Sequence, residues 1–197
     1  MADLTTLDAV RQQLGLGPVD TDDDELITDY VTEASIIFQN EVNLPNFSAA
    51  NGTLLLNACP PHAYGRQLFF RDYVVGVYSV VNGDGLTVDP AHYRLLPYNS
   101  SPKYGMELTI DSGLRWTFDR DPHAAITVAG TLGYCTSANV PADVTLAVTK
   151  LAVWLYQNRD NRGETIKFAD GSKSIPAEAP AIVLRTQKRY IRDVLYA

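Results

Sequence analysis

A chain of 197 residues that is 46% hydrophobic can bury a core of one large or two small domains, which excludes a disorder-dominated protein. Its net charge of −7 argues against a protein that grips nucleic acid, because duplex binding depends on neutralising phosphates with Lys and Arg. No apolar run approaches the ~18 residues of a membrane span, no basic-then-apolar leader opens the chain, and Cys59 and Cys135 are too few for a disulfide framework or zinc site.

These exclusions predict a protein made in a cytoplasm, with no membrane association, no metal, no cofactor and two buried thiols. Thr5 and Thr6 can cap a short helix carrying Leu7, Val10 and Leu14, stopped by Gly15-Leu16-Gly17-Pro18. A second helix follows from Asp22-Asp23-Asp24 to about Val42, where the acidic residues suit the N-terminal end of the helix dipole. Leu26, Ile27, Tyr30, Val31, Ala34, Ile37 and Phe38 recur along it at helical spacing.

From Thr53 to Tyr134 the pattern changes to short β-branched and aromatic runs punctuated by Gly, Pro, Asn and Asp. The expected strands are Thr53 to Asn57, Arg66 to Phe70, Tyr73 to Val81, Tyr93 to Leu96, Glu107 to Ile110, Leu114 to Phe118 and Ala125 to Thr131. Asn82-Gly83-Asp84-Gly85 and Asp111-Ser112-Gly113 read as turns, the second as a hairpin turn. About seven strands in some eighty residues predict a small antiparallel sandwich or barrel, since an open sheet exposes its edges.

Helical spacing returns at Pro141, with Val144, Val148, Leu151 and Leu155 on one stripe. Leu146, Val153 and Tyr156 lie opposite and Trp154 between, so the helix needs cover on two faces, from the β-region or from a neighbouring subunit. Thr165 to Phe168 and Ser172 to Ile175 can pair around Asp170-Gly171. A last helix is expected from about Ala181 to Leu195, with Val183, Leu184, Tyr190, Ile191 and Val194 inward. The fold class is therefore α+β: a four-helix domain built from residues 1–50 and 137–197, with a β-domain inserted at 51–136.

The sequence holds no catalytic signature. His62, His92 and His123 stand in no metal spacing and beside no nucleophile motif, and no glycine-rich phosphate loop occurs. Asp119-Arg120-Asp121-Pro122-His123 reads as a charged loop. Charge is instead polarised along the chain. Asp20, Asp22, Asp23, Asp24, Glu25, Asp29 and Glu33 stand without a Lys or Arg among them, whereas the C-terminal helix carries Arg185, Lys188, Arg189 and Arg192.

The order of these segments resembles the head-to-tail connector (adaptor) proteins of tailed bacteriophages and gene transfer agents. The resemblance is carried by Leu4-Thr5-Thr6-Leu7-Asp8-Ala9-Val10, Asp23-Asp24-Glu25-Leu26-Ile27 and Glu41-Val42. Tyr73-Val74-Val75-Gly76-Val77-Tyr78 before Gly83-Asp84-Gly85, Leu114 to Trp116, and Ile126-Thr127-Val128-Ala129-Gly130 to Gly133-Tyr134 resemble the β-insert of one branch of that family. Val140-Pro141-Ala142-Asp143, Tyr156-Gln157-Asn158-Arg159 and the Leu184 to Tyr190 helix complete the pattern.

The resemblance implies a non-enzymatic virion protein of the neck. Roughly twelve copies would form a ring beneath the portal protein and extend the DNA channel. The ring would dock tail-side stopper or tail-terminator proteins, and DNA would pass without specific binding. Arg185, Lys188, Arg189, Arg192 and Tyr196 become candidates for the portal or partner interface, Asp20 and Asp22 to Glu25 for a channel-facing or inter-subunit acidic segment, and Leu146, Val153, Trp154 and Tyr156 for an inter-subunit apolar face. A tail-completion or stopper protein of the same particle, or a carbohydrate- or peptide-binding module on the β-domain, are the alternatives.

Overall fold

The computed structural model describes residues 2–17, 19–159, 166–167, 173–174 and 179–191. The chain is α+β, with helices α1 (Leu7–Leu14), α2 (Asp24–Glu41), α3 (Ala142–Gln157) and α4 (Ala181–Tyr190). Its strands are β1 (Ala50–Leu56), β2 (Ala63–Tyr64), β3 (Gln67–Val81), β4 (Tyr93–Leu96), β5 (Lys103–Leu108), β6 (Ile126–Leu132), β7 (Ile166–Lys167) and β8 (Lys173–Ser174). It divides into two compact units, one made of Met1–Asn43 with Val140–Arg192, the other built on Leu44–Asn139.

In the helical unit α3 is central and packs against α1, α2 and α4. This is why a helix apolar nearly all round is stable here: its own unit covers it on three sides. Val153, expected on an inter-subunit face, is only 8% exposed and belongs to that interior. The Thr6 hydroxyl caps α1 by accepting from the Ala9 N–H at 3.2 Å, and Gly15 ends the helix in the left-handed region at φ 74°. The N-terminal segment is pinned beneath by buried bonds: the Leu4 N–H donates to Ser35 Oγ at 3.0 Å, and the hydroxyls of Thr5 and Thr149 meet at 2.6 Å. On α4 the buried positions are Val183, Thr186 and Gln187, with Tyr190 half-buried; Leu184 and Ile191, expected inward, are exposed. Val194 lies outside the described residues.

The β-unit is one six-stranded antiparallel sheet of order β1-β6-β3-β5-β4, with β2 paired to β3. Among the described residues its path is open, ending at β1 and β4, so the sheet does not close into a barrel. A single long strand bends instead. The first part of β3 pairs with β5 and the second with β6, with register shifts between Phe69 and Val74, Val74 and Gly76, and Val77 and Ser79. Leu54, Leu56, Leu68, Phe70, Val80, Met106, Leu108, Ile126 and Val128 thereby meet in one core.

Leu114 to Phe118 is not a strand, and Asp111-Ser112-Gly113 makes no hairpin: residues 110–112 form a 3-10 turn closed by Gly113 at φ 65°. The segment alternates as a strand would, with Trp116 buried and its Nε1 donating to Arg66 O at 2.9 Å. Its main chain is held by a side chain. Asn82 Nδ2 donates to Arg115 O at 2.9 Å, and Asn82 Oδ1 accepts from the Thr117 N–H at 3.2 Å, beside a single parallel backbone bridge between Gly83 and Phe118. Gly83 permits the close approach, since a Cβ there would stand 2.2 Å from Thr117 O. The β7 and β8 backbones pair antiparallel, Ile166 with Ser174 and Lys167 with Lys173.

Candidate interaction surfaces

The described residues contain no group of three or more His, Cys, Asp or Glu side chains placed to hold a metal. His62 Nδ1 accepts the Asn57 N–H at 3.2 Å, and burial together with Arg71 holds its pKa below the ordinary 6.5. His92 and His123 are exposed. The two cysteines are free and half-buried rather than fully buried, and burial pushes the Cys135 thiol up. Asp119 to His123 is a surface loop in which Asp121 Oδ1 accepts the His123 N–H at 2.9 Å. A shallow depression of about 310 Å³ is lined by Arg66, Arg94, Tyr98, Glu107 and Leu108 to Asp111. Glu107 is already engaged there, accepting from Tyr98 Oη at 2.6 Å and lying 3.6 Å from Arg66.

The acidic segment splits into an exposed part and a structural part. Asp20, Asp22, Glu25 and Asp29 are exposed, whereas Asp23 and Asp24 are half-buried and partnered within the helical unit. Arg11 reaches from α1 to Asp24 Oδ2 at 2.5 Å, and the same guanidinium donates to the carbonyls of Gly17 and Asp20 at 2.6 and 2.8 Å. One cation thus fixes the connection between α1 and α2. Asp23 occupies the N-cap position of α2 but makes no cap bond; its carboxylate accepts from the Tyr156 hydroxyl, and that bond raises the Tyr156 pKa. The Tyr156 ring also stands edge-on to Tyr30 at 6.2 Å, with Arg159 4.6 Å from its centroid. Neither the Arg11 pairing nor the Tyr156 bond has a short-range signature, since each joins residues on different helices.

Of the apolar candidates on α3, Leu146 is exposed, Trp154 and Tyr156 are half-buried, and Val153 is inside. Trp154 Nε1 is buried without a hydrogen-bond partner among the described residues. Of the basic candidates, Arg185 and Lys188 are exposed on α4. Arg189 is exposed too, but it pairs with Asp143 at 2.7 Å, and Tyr190 Oη donates to the same carboxylate at 2.9 Å. Arg192 and Tyr196 fall outside the described residues.

The β-unit carries two further exposed features, built on tyrosines whose exposure strand alternation does not settle. Tyr64, Phe69 and Tyr104 form an aromatic strip, with Phe69 6.1 Å from Tyr64 and 6.4 Å from Tyr104. The outward face of β1, β6 and the second half of β3 has no charged side chain. On it the Tyr78 hydroxyl bonds Thr131 Oγ1 and donates to Asn51 Oδ1 at 3.1 Å.

No protein-family model matches this sequence, and no curated protein matches it. Solved structures do. A chain in the neck of an empty gene transfer agent (GTA) particle, computed with C6 symmetry, is 17% identical, with a TM-score of 0.59 over 95% of this chain and 89% of its own length. One in the neck of a native GTA particle, computed with C12 symmetry, is 16% identical, with a TM-score of 0.55 over 96% and 93%. A chain of the virion of a native GTA particle is 19% identical, with a TM-score of 0.53 over 93% of both. This chain therefore has the fold of GTA neck and virion chains, over nearly its whole length.

Proposed function

We propose that this chain is a structural subunit of the neck of a tailed phage or gene-transfer-agent particle, and specifically the head-to-tail connector that forms a ring under the portal. The observation that carries the reading is a fold likeness to GTA neck chains covering at least 95% of this chain, helical and β-units together. The neck computed with C12 symmetry supports a cyclic assembly of roughly twelve copies, in which head-to-tail contacts close. In such a ring the protein performs no reaction; it positions the portal, the tail-side stopper or terminator and the DNA passage.

Within that reading, Asp20, Asp22, Glu25 and Asp29 supply acidic surface toward the channel or a basic neighbour, where it repels phosphate and lets DNA slide. Salt weakens the field. Arg185 and Lys188 are the residues of α4 offered to the portal, because Arg189 is engaged by Asp143. The double substitution Arg185→Glu with Lys188→Glu is expected to weaken capture by immobilised portal by at least about tenfold at low salt while leaving the melting temperature unchanged. Undiminished capture removes α4 from the portal contact. Capture by isolated tail tube instead of portal reassigns the chain to tail completion or stopping.

A further inference from the structure

We infer that the open edge of β1, with the uncharged sheet face beside it, is the surface on which a second copy of this chain packs; this rests on the self-assembling neck reading and names one of its contacts. An open sheet has two edges, and here they are unequal. The β4 edge is short, carries exposed Arg94 and is bracketed by Pro90 and Pro97, all of which discourage strand addition. Among the described residues no strand pairs with the other side of β1, and its own residues carry none of these protections. It holds register with β6 over seven consecutive pairs, from Ala50 with Leu132 to Leu56 with Ile126, without a bulge, proline or charge.

The face beside that edge is equally bare. Leu54 and Leu56 point into the core, leaving Asn51, Thr53 and Leu55 outward beside Thr131, Ala129 and Thr127 of β6. Across β6 stands Tyr78 of β3. Leu55 is 60% exposed and Tyr78 64% exposed. Neither β1, β6 nor the stretch Tyr73 to Val81 contains an Asp, Glu, Lys or Arg.

Charge selects the occupant. A basic partner would gain most at the exposed acidic residues before and within α2, and a nucleic acid would need cations that this face lacks. A partner with the same net charge of −7 must approach where no charges oppose one another, and a second copy is such a partner. In a head-to-tail contact this edge meets a different surface of the next copy, with its free main-chain groups supplying hydrogen bonds and the apolar and hydroxyl side chains beside it adding contact area.

Sedimentation velocity of the purified full chain over rising concentration tests this. The wild type is expected to self-associate, the double variant Thr53→Lys with Leu55→Lys to do so at least tenfold more weakly, and the control Ile110→Lys, at an exposed site on the same unit, as the wild type does. The added lysines bring the net charge closer to zero, so weaker association cannot come from greater overall repulsion. Amide exchange provides a readout that needs no variant: β1 amides should slow at high protein concentration while β4 amides do not. Undiminished association of the double variant, or unchanged β1 exchange, overturns this surface and leaves the neck reading standing, since portal capture tests that separately. A wild type that stays monomeric to its solubility limit overturns it as well.

Discussion

Replacing Gly130 by alanine is expected to destabilise the β-unit by about 3 kcal/mol or more, whereas Gly76→Ala, at the same strand crossing, should be close to neutral. The asymmetry is geometric. A Cβ on Gly130 would stand 2.2 Å from Gly76 O and 3.2 Å from Val77 Cα, and these are backbone atoms held by the β3–β6 ladder. A Cβ on Gly76 meets nothing within 4 Å. Relief at 130 would require the two central strands to part where β3 is bulged. Chemical denaturation of both variants measures the difference; equal stabilities would mean the crossing is looser than described.

The second large effect is expected at Asn82, which is 5% exposed. Besides bracketing Arg115 and Thr117, its Oδ1 accepts the Gly83 N–H at 3.0 Å and its Nδ2 donates to Thr117 Oγ1 at 3.1 Å. Alanine removes all four bonds and leaves main-chain groups without partners, a loss of about 2–4 kcal/mol. Asn82→Asp should be no milder, because it turns the donor facing Arg115 O into an acceptor and buries charge. Trp116 sits between the two bracketed residues, so its emission should shift to the red in a Trp154→Phe background. An unshifted spectrum with unchanged stability would show that the segment holds itself.

These two sites mark the limit of what sequence patterns reveal. Helix positions followed from spacing and punctuation: Thr6 and Gly15 bound α1, and Ile27, Val31, Ala34 and Phe38 form the buried stripe of α2. Leu114 to Phe118 has a strand's alternation but only one backbone bridge, to Gly83, and most of its main-chain support comes from Asn82 more than thirty residues away. The break at Arg71-Asp72 predicted two strands, yet the interruption is in pairing and β3 runs through it. On α4 apolar spacing predicted Leu184 inside, but Thr186 and Gln187 are buried instead, so which face turns inward is set by the surfaces it meets.

The candidate surfaces were legible as composition and less so as geometry. The run of acidic residues was plain, but its division into exposed Asp20, Asp22 and Glu25 and internally bonded Asp23 and Asp24 depends on Arg11 and Tyr156. The breadth of apolar positions on α3 was equally plain, and three helices of its own unit account for most of it. The bare edge of β1 was invisible, because being last in a sheet is a property of topology and not of the strand's own residues.

Electron microscopy of the purified chain mixed with its portal oligomer tests the central claim most directly. The account predicts a closed ring of many copies seated on one face of the portal and coaxial with its channel. A portal that remains bare, or that takes up isolated single copies off its axis, would contradict it.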